Sequence, residues 1–267
     1  LAFALSVPGP AAAQGRLDAR YTVSLAGIAI GKGAWVVDIG DDQFTAAASG
    51  NTVGLLRVFA SGRGTSASRG TMVGGTPVPS SFAASITADK KTEEIRMTLG
   101  SGNVKEYVIT PSPPTEPDPE RVPLTDAHLR GVMDPMTGSL VRVPGNGHPV
   151  APQACQRTAQ VFDGRMRYTL KFAYKRMEQI KTEKGYEGAA VACAVYFEPL
   201  AGHIPSRSAI KYLIEQRDME VWLAPVVGTR VLVPFRMSVP TPLGVGVMQA
   251  TQFISVAQPR AASAKTQ

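Results

Sequence analysis

The sequence predicts an all-β fold, a strongly curved antiparallel sheet forming an open or half barrel and carrying one to three short helices. Apolar and polar residues alternate with period two along most of the chain, the pattern of strands with one buried face. Turn residues separate these runs, because 26 glycines and 21 prolines are spread over 267 residues. Charged residues make up only 18%, which suits a chain of many strands around a sizeable core.

In chain order, "RYTVSL" (20–25) sets Tyr21, Val23 and Leu25 on one face, and "GAWVVDI" (33–39) does the same with Trp35, Val37 and Ile39. "NTVGLLRVFAS" (51–61) reads as a short helix. "EEIRMTLG" (93–100) aligns Ile95, Met97 and Leu99, and "KEYVIT" (105–110) follows with Tyr107 and Ile109. A proline-rich connector, "TPSPPTEPDPERVP" (110–123), then interrupts a single β-rich domain of residues 14–257; 258–267 reads as a disordered tail. A short helix opens after Asp134, with Pro135 at its first position. In "RYTLKFAYK" (167–175), Tyr168, Leu170, Phe172 and Tyr174 are expected inside, opposite Arg167, Thr169, Lys171 and Lys175. "AAVACAVYF" (189–197) turns Val191, Cys193, Val195 and Phe197 one way and alanines the other. "SRSAIKYLIEQRD" (206–218) places Ile210, Leu213 and Ile214 at helical spacing behind a cap at Ser206 or Ser208. "RVLVPFRMSV" (230–239) closes the series with Val231, Val233, Phe235, Met237 and Val239. Turns are expected at Gly40-Asp41-Asp42, Gly74-Gly75, Gly100-Ser101-Gly102, Asp163-Gly164 and Gly228-Thr229, with Asp163-Gly164 as a hairpin tip.

The compartment is read from "LAFALSVPGPAAAQG". An apolar run from Leu1 to Val7, a Pro-Gly-Pro break and Ala11 to Ala13 make residues 1–13 the remnant of a secretory signal peptide, cleaved before Gln14. The expected location is therefore the periplasm, where disulfides persist. Two cysteines allow one intrachain bridge, and Cys155 and Cys193 are assigned to it as a structural disulfide, with Cys155 opening a strand that neighbours the Cys193 strand. Neither has a CxxC partner or a histidine at ligand spacing, which argues against a metal.

The net charge of +7 and pI near 9.5 favour anionic partners such as lipid head groups. Nucleic acid is disfavoured, because no aromatic-basic binding motif is present. Fingerprints of chemistry fail: "GTSAS" (64–68) lacks the second glycine of a nucleophile elbow, and "GVGVMQ" (244–249) ends on glutamine where a dinucleotide loop needs glycine. His128, His148 and His203 are scattered, and Asp41-Asp42 and Glu93-Glu94 read as solvated charge. No metal and no cofactor are expected. Polar residues do gather at two loops, Asp163 and Arg165 in "VFDGRMRY" and Glu198, His203 and Arg207 in "FEPLAGHIPSR". A 155–193 bridge would bring these loops together as a contact rim.

The order "DPMTGSL", a cysteine followed by "VFDGRMRY", "YEGAAVACAVYFEPLAGH", "EVWLAP" and "VPFRMSVPTPLG" resembles the exported bacterial family catalogued as domain of unknown function 3108, from about Ala19 to Ile254. The resemblance implies a periplasmic β-rich protein, similar in architecture to curved half-barrel envelope proteins, and brings no enzymatic activity with it. The function expected is that of a non-enzymatic cell-envelope protein whose concave sheet face binds a lipid, another apolar ligand or a partner protein, with peripheral membrane contact. Two alternatives stand beside it: a periplasmic hydrolase or modifying enzyme in which Asp163, Glu198 and His203 converge, and a purely structural scaffold.

Overall fold

A computed structural model describes residues 14–53, 62–113 and 118–258. The leader expected at 1–13, most of the helix expected at 51–61 and the tail at 259–267 lie outside the described residues. Asn51 and Thr52 themselves belong to a strand.

Seven strands run as a meander, β1 (Gly15–Leu25), β2 (Ile28–Ile39), β3 (Gln43–Thr52), β4 (Gly62–Val73), β5 (Thr76–Ala88), β6 (Lys91–Gly100) and β7 (Asn103–Thr110). A long irregular stretch follows, with single 3₁₀ turns at Asp126–Leu129 and Pro152–Cys155, a one-turn helix α1 (Pro135–Gly138) and the short strand β8 (Val141–Arg142). The second half comprises β9 (Thr158–Phe162), β10 (Arg167–Lys181), β11 (Lys184–Gly185), β12 (Glu187–Ala201), helix α2 (Ser208–Glu215), β13 (Glu220–Pro225), β14 (Val231–Thr241) and β15 (Gly244–Ala257). The sheet order is β7-β6-β5-β4-β3-β2-β1-β15-β14-β13-β12-β10-β9, with β8 on β14 and β11 on β15. All pairings are antiparallel except β11 with β15.

The sheet curls until β7 and β9 approach each other, but these two strands do not pair. An extended strap, residues 130–133, spans the gap. Val132 N donates to Gly102 O at 2.7 Å, Met133 N to Gln160 O at 2.9 Å and Phe162 N to Met133 O at 3.0 Å. Tyr107 meets Phe162 edge-to-face at 5.1 Å across the same seam. Glu93 forms an ion pair with Arg165 beside it, so Glu93 is not the solvated charge its sequence suggested. The buried Asp134 caps α1, accepting from Thr137 N at 3.0 Å and from Ser68 Oγ at 3.0 Å, which ties the end of the strap to β4.

The packing is two-layered where the halves overlap. Ala224, Val226, Val231, Val233 and Phe235 of the β13–β14 hairpin join one core with Leu17, Val37, Phe44 and Phe253. The opposite face of the same strands, with Val191, Cys193, Val221, Leu223 and Leu232, forms a second core under Val141, Val143, Val150, Ala154 and Cys155. Strands β12 to β14 are thus buried on both faces, so their central residues read as continuous apolar runs.

Three expectations are corrected here. Cys155 does not open a strand: it ends the 3₁₀ turn Pro152–Cys155, and its bond to Cys193 pins that turn onto the sheet, with Cα atoms 5.5 Å apart. At the start of β10 the polar face is the buried one, because Gln160 Oε1 accepts from Arg167 Nη2 at 2.5 Å and from Thr169 Oγ1 at 3.0 Å, while Tyr174 is 44% exposed. Helix α2 starts at Ser208 without a serine cap; Ser206 Oγ instead donates to Glu120, and Ile214 faces solvent.

Candidate functional site

The two polar loops do come together. Gly202 lies so close to the Arg165 carbonyl that a Cβ there would sit 2.0 Å from it, and Gly202 N donates to Val122 O at 2.8 Å. The side chains of Asp163, Arg165 and Glu198, however, are engaged within the fold. Asp163 accepts from Arg165 N at 2.8 Å and Met166 N at 2.7 Å, closing its own turn, and burial raises its pKa against the lowering effect of these bonds. Glu198 pairs with Lys171 at 2.7 Å on the exposed face. His203 is buried, burial lowers its pKa, and its Nδ1 has no partner. Arg207 is exposed at the entrance to α2. Among the described residues, no hydrogen bond joins any two of Asp163, Glu198 and His203, and no group of three metal-ligating side chains occurs.

The feature best suited to a ligand lies elsewhere, at one end of the barrel. Inward-facing side chains along β2 are large from Ile39 through Val37 to Trp35 and then vanish at Gly33 and Gly31, and along β3 they shrink in the order Phe44, Ala46, Ala48, Gly50. Trp35 is directly opposite Ala48, and Gly33 opposite Gly50. With no side chain at Gly33 or Gly50, the core stops and a cavity of about 490 Å³ opens. That volume falls in the roughly 300–1,000 Å³ range of small-molecule sites.

Its walls are Tyr21, Val23, Trp35, Met136, Met237 and Met248. Tyr21 Oη donates to Pro234 O at 2.8 Å, and burial pushes its phenol above the usual range, so it stays neutral. The Trp35 Nε1 is buried without a hydrogen-bond partner. Lys32, the single charged lining residue, is exposed. Three methionines give the wall a soft surface that adapts to the shape of a guest. Such a site holds uncharged apolar groups by burial, with Lys32, Ser49, Asn51, Thr52 and Ser139 as its polar lining.

A larger depression of about 690 Å³ crosses the outer face of β3 to β7. Its floor is Ala47, Ala67 and Ala83, paired in register, and its Arg96 is already engaged by Glu94 at 3.1 Å. With Arg69, Glu94, Arg96 and Glu106 in its lining, it is a more polar and charged surface than the barrel-end cavity. A further polar cluster escaped the sequence reading: Arg176 and Arg236 lie over the Trp222 ring at 5.3 and 4.7 Å, and Trp222 Nε1 donates to Glu178 at 2.6 Å. Ala192, between Trp222 and Arg176 in the register, is small enough to let them meet.

The cavity also escaped it. The signal was a run of small residues at alternate positions of neighbouring strands, legible only once their register is known.

Comparison with known proteins gives a family and a distant fold likeness. A family profile described as "Protein of unknown function (DUF3108)" matches residues 20–251. No curated protein matches. Among solved structures, the chain is similar to a β-barrel-like protein of domain of unknown function DUF1849 from Brucella abortus, at 12% identity and a TM-score of 0.48, covering 91% of this chain and 98% of that one.

Proposed function

This chain belongs to the DUF3108 family, whose members carry no assigned activity, and on that premise we propose that it is a non-catalytic, exported envelope protein that binds an apolar ligand, a lipid acyl chain in kind, within the barrel-end cavity. The observation that carries the reading is the cavity of about 490 Å³ whose floor is the facing pair Gly33 and Gly50. A glycine in a strand interior weakens it, and two paired across neighbouring strands leave apolar surface uncovered. Filling that space with a guest removes the surface from water. The buried Cys155–Cys193 bond supports an oxidising compartment, the periplasm.

The test is native mass spectrometry, with lipid extraction, of protein recovered from a periplasmic fraction, followed by titration of the delipidated protein with a fluorescent fatty-acid probe. A co-purifying apolar species, or saturable probe binding competed by fatty acid, is expected. A ligand-free mass together with no probe binding would overturn the reading.

A further inference from the structure

Above the cavity, two hairpin tips stand side by side. The β1–β2 tip is Ala26-Gly27 and the β14–β15 tip is Pro242-Leu243. Ala26 N donates to Val245 O at 3.0 Å, and Gly244, at φ +112°, lies against Ala26 so closely that a Cβ there would come within 2.8 Å of the alanine's own. The tips therefore form one surface. Leu243 at 76% and Ile28 at 65% are the two most exposed large apolar side chains among the described residues, with Val245 beside them at 45%. No charged residue occurs from Tyr21 to Gly31 or from Met237 to Val256. Single exposed apolar residues are ordinary, but a joined, uncharged patch marks an interaction site.

The patch is continuous with the cavity and set within cations. Val23 pairs with Met248 and Leu25 with Gly246, so the cavity wall rises directly into both tips. Behind the patch, Arg20 and Lys32 line one recess with Glu183 as its single acid, and the β5–β6 hairpin presents Lys90 and Lys91 at the same end, with Asp89 the one acid in that turn. Arg20, Lys32, Lys90 and Lys91 form no ion pair among the described residues. Apolar tips backed by unpaired cations match the boundary between acyl chains and anionic head groups.

We propose that this end of the barrel docks on an anionic lipid bilayer, inserting Ile28 and Leu243 below the head groups so that the cavity mouth faces the acyl region. The inference builds on the apolar-ligand reading, because the cavity gives the docking its purpose, but its test is separate.

The full chain is mixed with vesicles of phosphatidylcholine alone or of phosphatidylcholine with phosphatidylglycerol, and the bound fraction is measured by flotation. Binding to the anionic vesicles is expected, falling about ten-fold or more in an Ile28→Ser, Leu243→Ser double variant and several-fold in a Lys90→Glu, Lys91→Glu variant. Both tip residues are exposed, so the thermal melt and the fatty-acid probe titration of the tip variant stay at their wild-type values. Vesicle binding with no probe binding would sink the ligand reading and leave the docking standing. Equal flotation of wild type and tip variant, or none by either, would overturn the docking. A dimer that the tip variant splits, seen by light scattering without vesicle binding, would also overturn it by assigning the patch to a second copy of the chain.

Discussion

Gly50→Leu separates stability from binding in opposite directions. A Cβ at Gly50 would meet Lys32 O at 3.4 Å and Gly33 Cα at 4.0 Å, ordinary contacts, and the position lacks a positive φ, so the backbone accepts a side chain. Replacing a strand glycine restricts the unfolded chain and contributes about 0.5–1 kcal/mol, and partial burial of the leucine adds to it. In a chain of this size that raises Tm by about 2–4 °C. The leucine, meanwhile, occupies the space of about four ligand methylenes at roughly 0.8 kcal/mol each, so about 3 kcal/mol, or two decades in Kd, is lost for an acyl ligand. Differential scanning calorimetry and fatty-acid probe titration read the two effects, and Ala47→Leu, on the exposed side of the same strand, is the control that should bind normally. A Gly50→Leu protein that is stabilised yet binds the probe like wild type would refute the cavity as the site.

Three other perturbations address the frame. The Cys155→Ala, Cys193→Ala double variant should lose roughly 2–4 kcal/mol in urea unfolding while keeping its far-UV spectrum, since the bond closes a loop of sequence separation 38; equal melting of native and variant would contradict this. Burial holds the Asp134 pKa above its ordinary 3.8. A raised acid contributes stability that is present below its unfolded pKa and lost as pH rises through the folded one, so wild type should weaken relative to Asp134→Asn as pH rises above the ordinary carboxyl value of 3.8. A stability gap independent of pH would count against that assignment. Glu93→Gln removes the partner of Arg165 at the seam; because the pair is partly exposed, the global cost is at most about 1 kcal/mol. Amide exchange at residues 130–133 should nevertheless quicken, and unchanged protection there would show that the pair does not hold the seam.

Period-two alternation identified β1, β2 and β6, where large apolar side chains meet the core, but left β3, β4, β5 and β15 unassigned, because their many Gly, Ala, Ser and Thr residues give little hydropathy contrast. It misassigned the start of β10, because hydropathy takes no account of a polar trio such as Gln160, Arg167 and Thr169 satisfying its own hydrogen bonds inside. The 130–133 strap has no period at all; its backbone finds partners in Gly102 and Gln160, which only the curled sheet brings near. The Glu93–Arg165 pair joins segments separated by 72 residues, beyond any local pattern. The loops carrying Asp163, Arg165 and His203 abut, but composition could not tell that turn closure and ion pairs engage Asp163, Arg165 and Glu198. The cavity is built from missing side chains, and a method that scores the residues present passes over it.

β1 is a central strand, paired with β2 on one side and with β15 on the other, and Gln258 N donates to Gln14 O at 3.1 Å just beyond the pair. This arrangement sets an order of assembly. β1 to β7 can zip together hairpin by hairpin as they are made, at small loop-closure cost, while the second edge of β1 stays bare until the last strand is synthesised. Until then the molecule presents a long unpaired edge ready to pair with another chain. The late arrival of β15 therefore does two things at once: it completes the inner wall below the tips with Met248 and Phe253, and it removes that sticky edge.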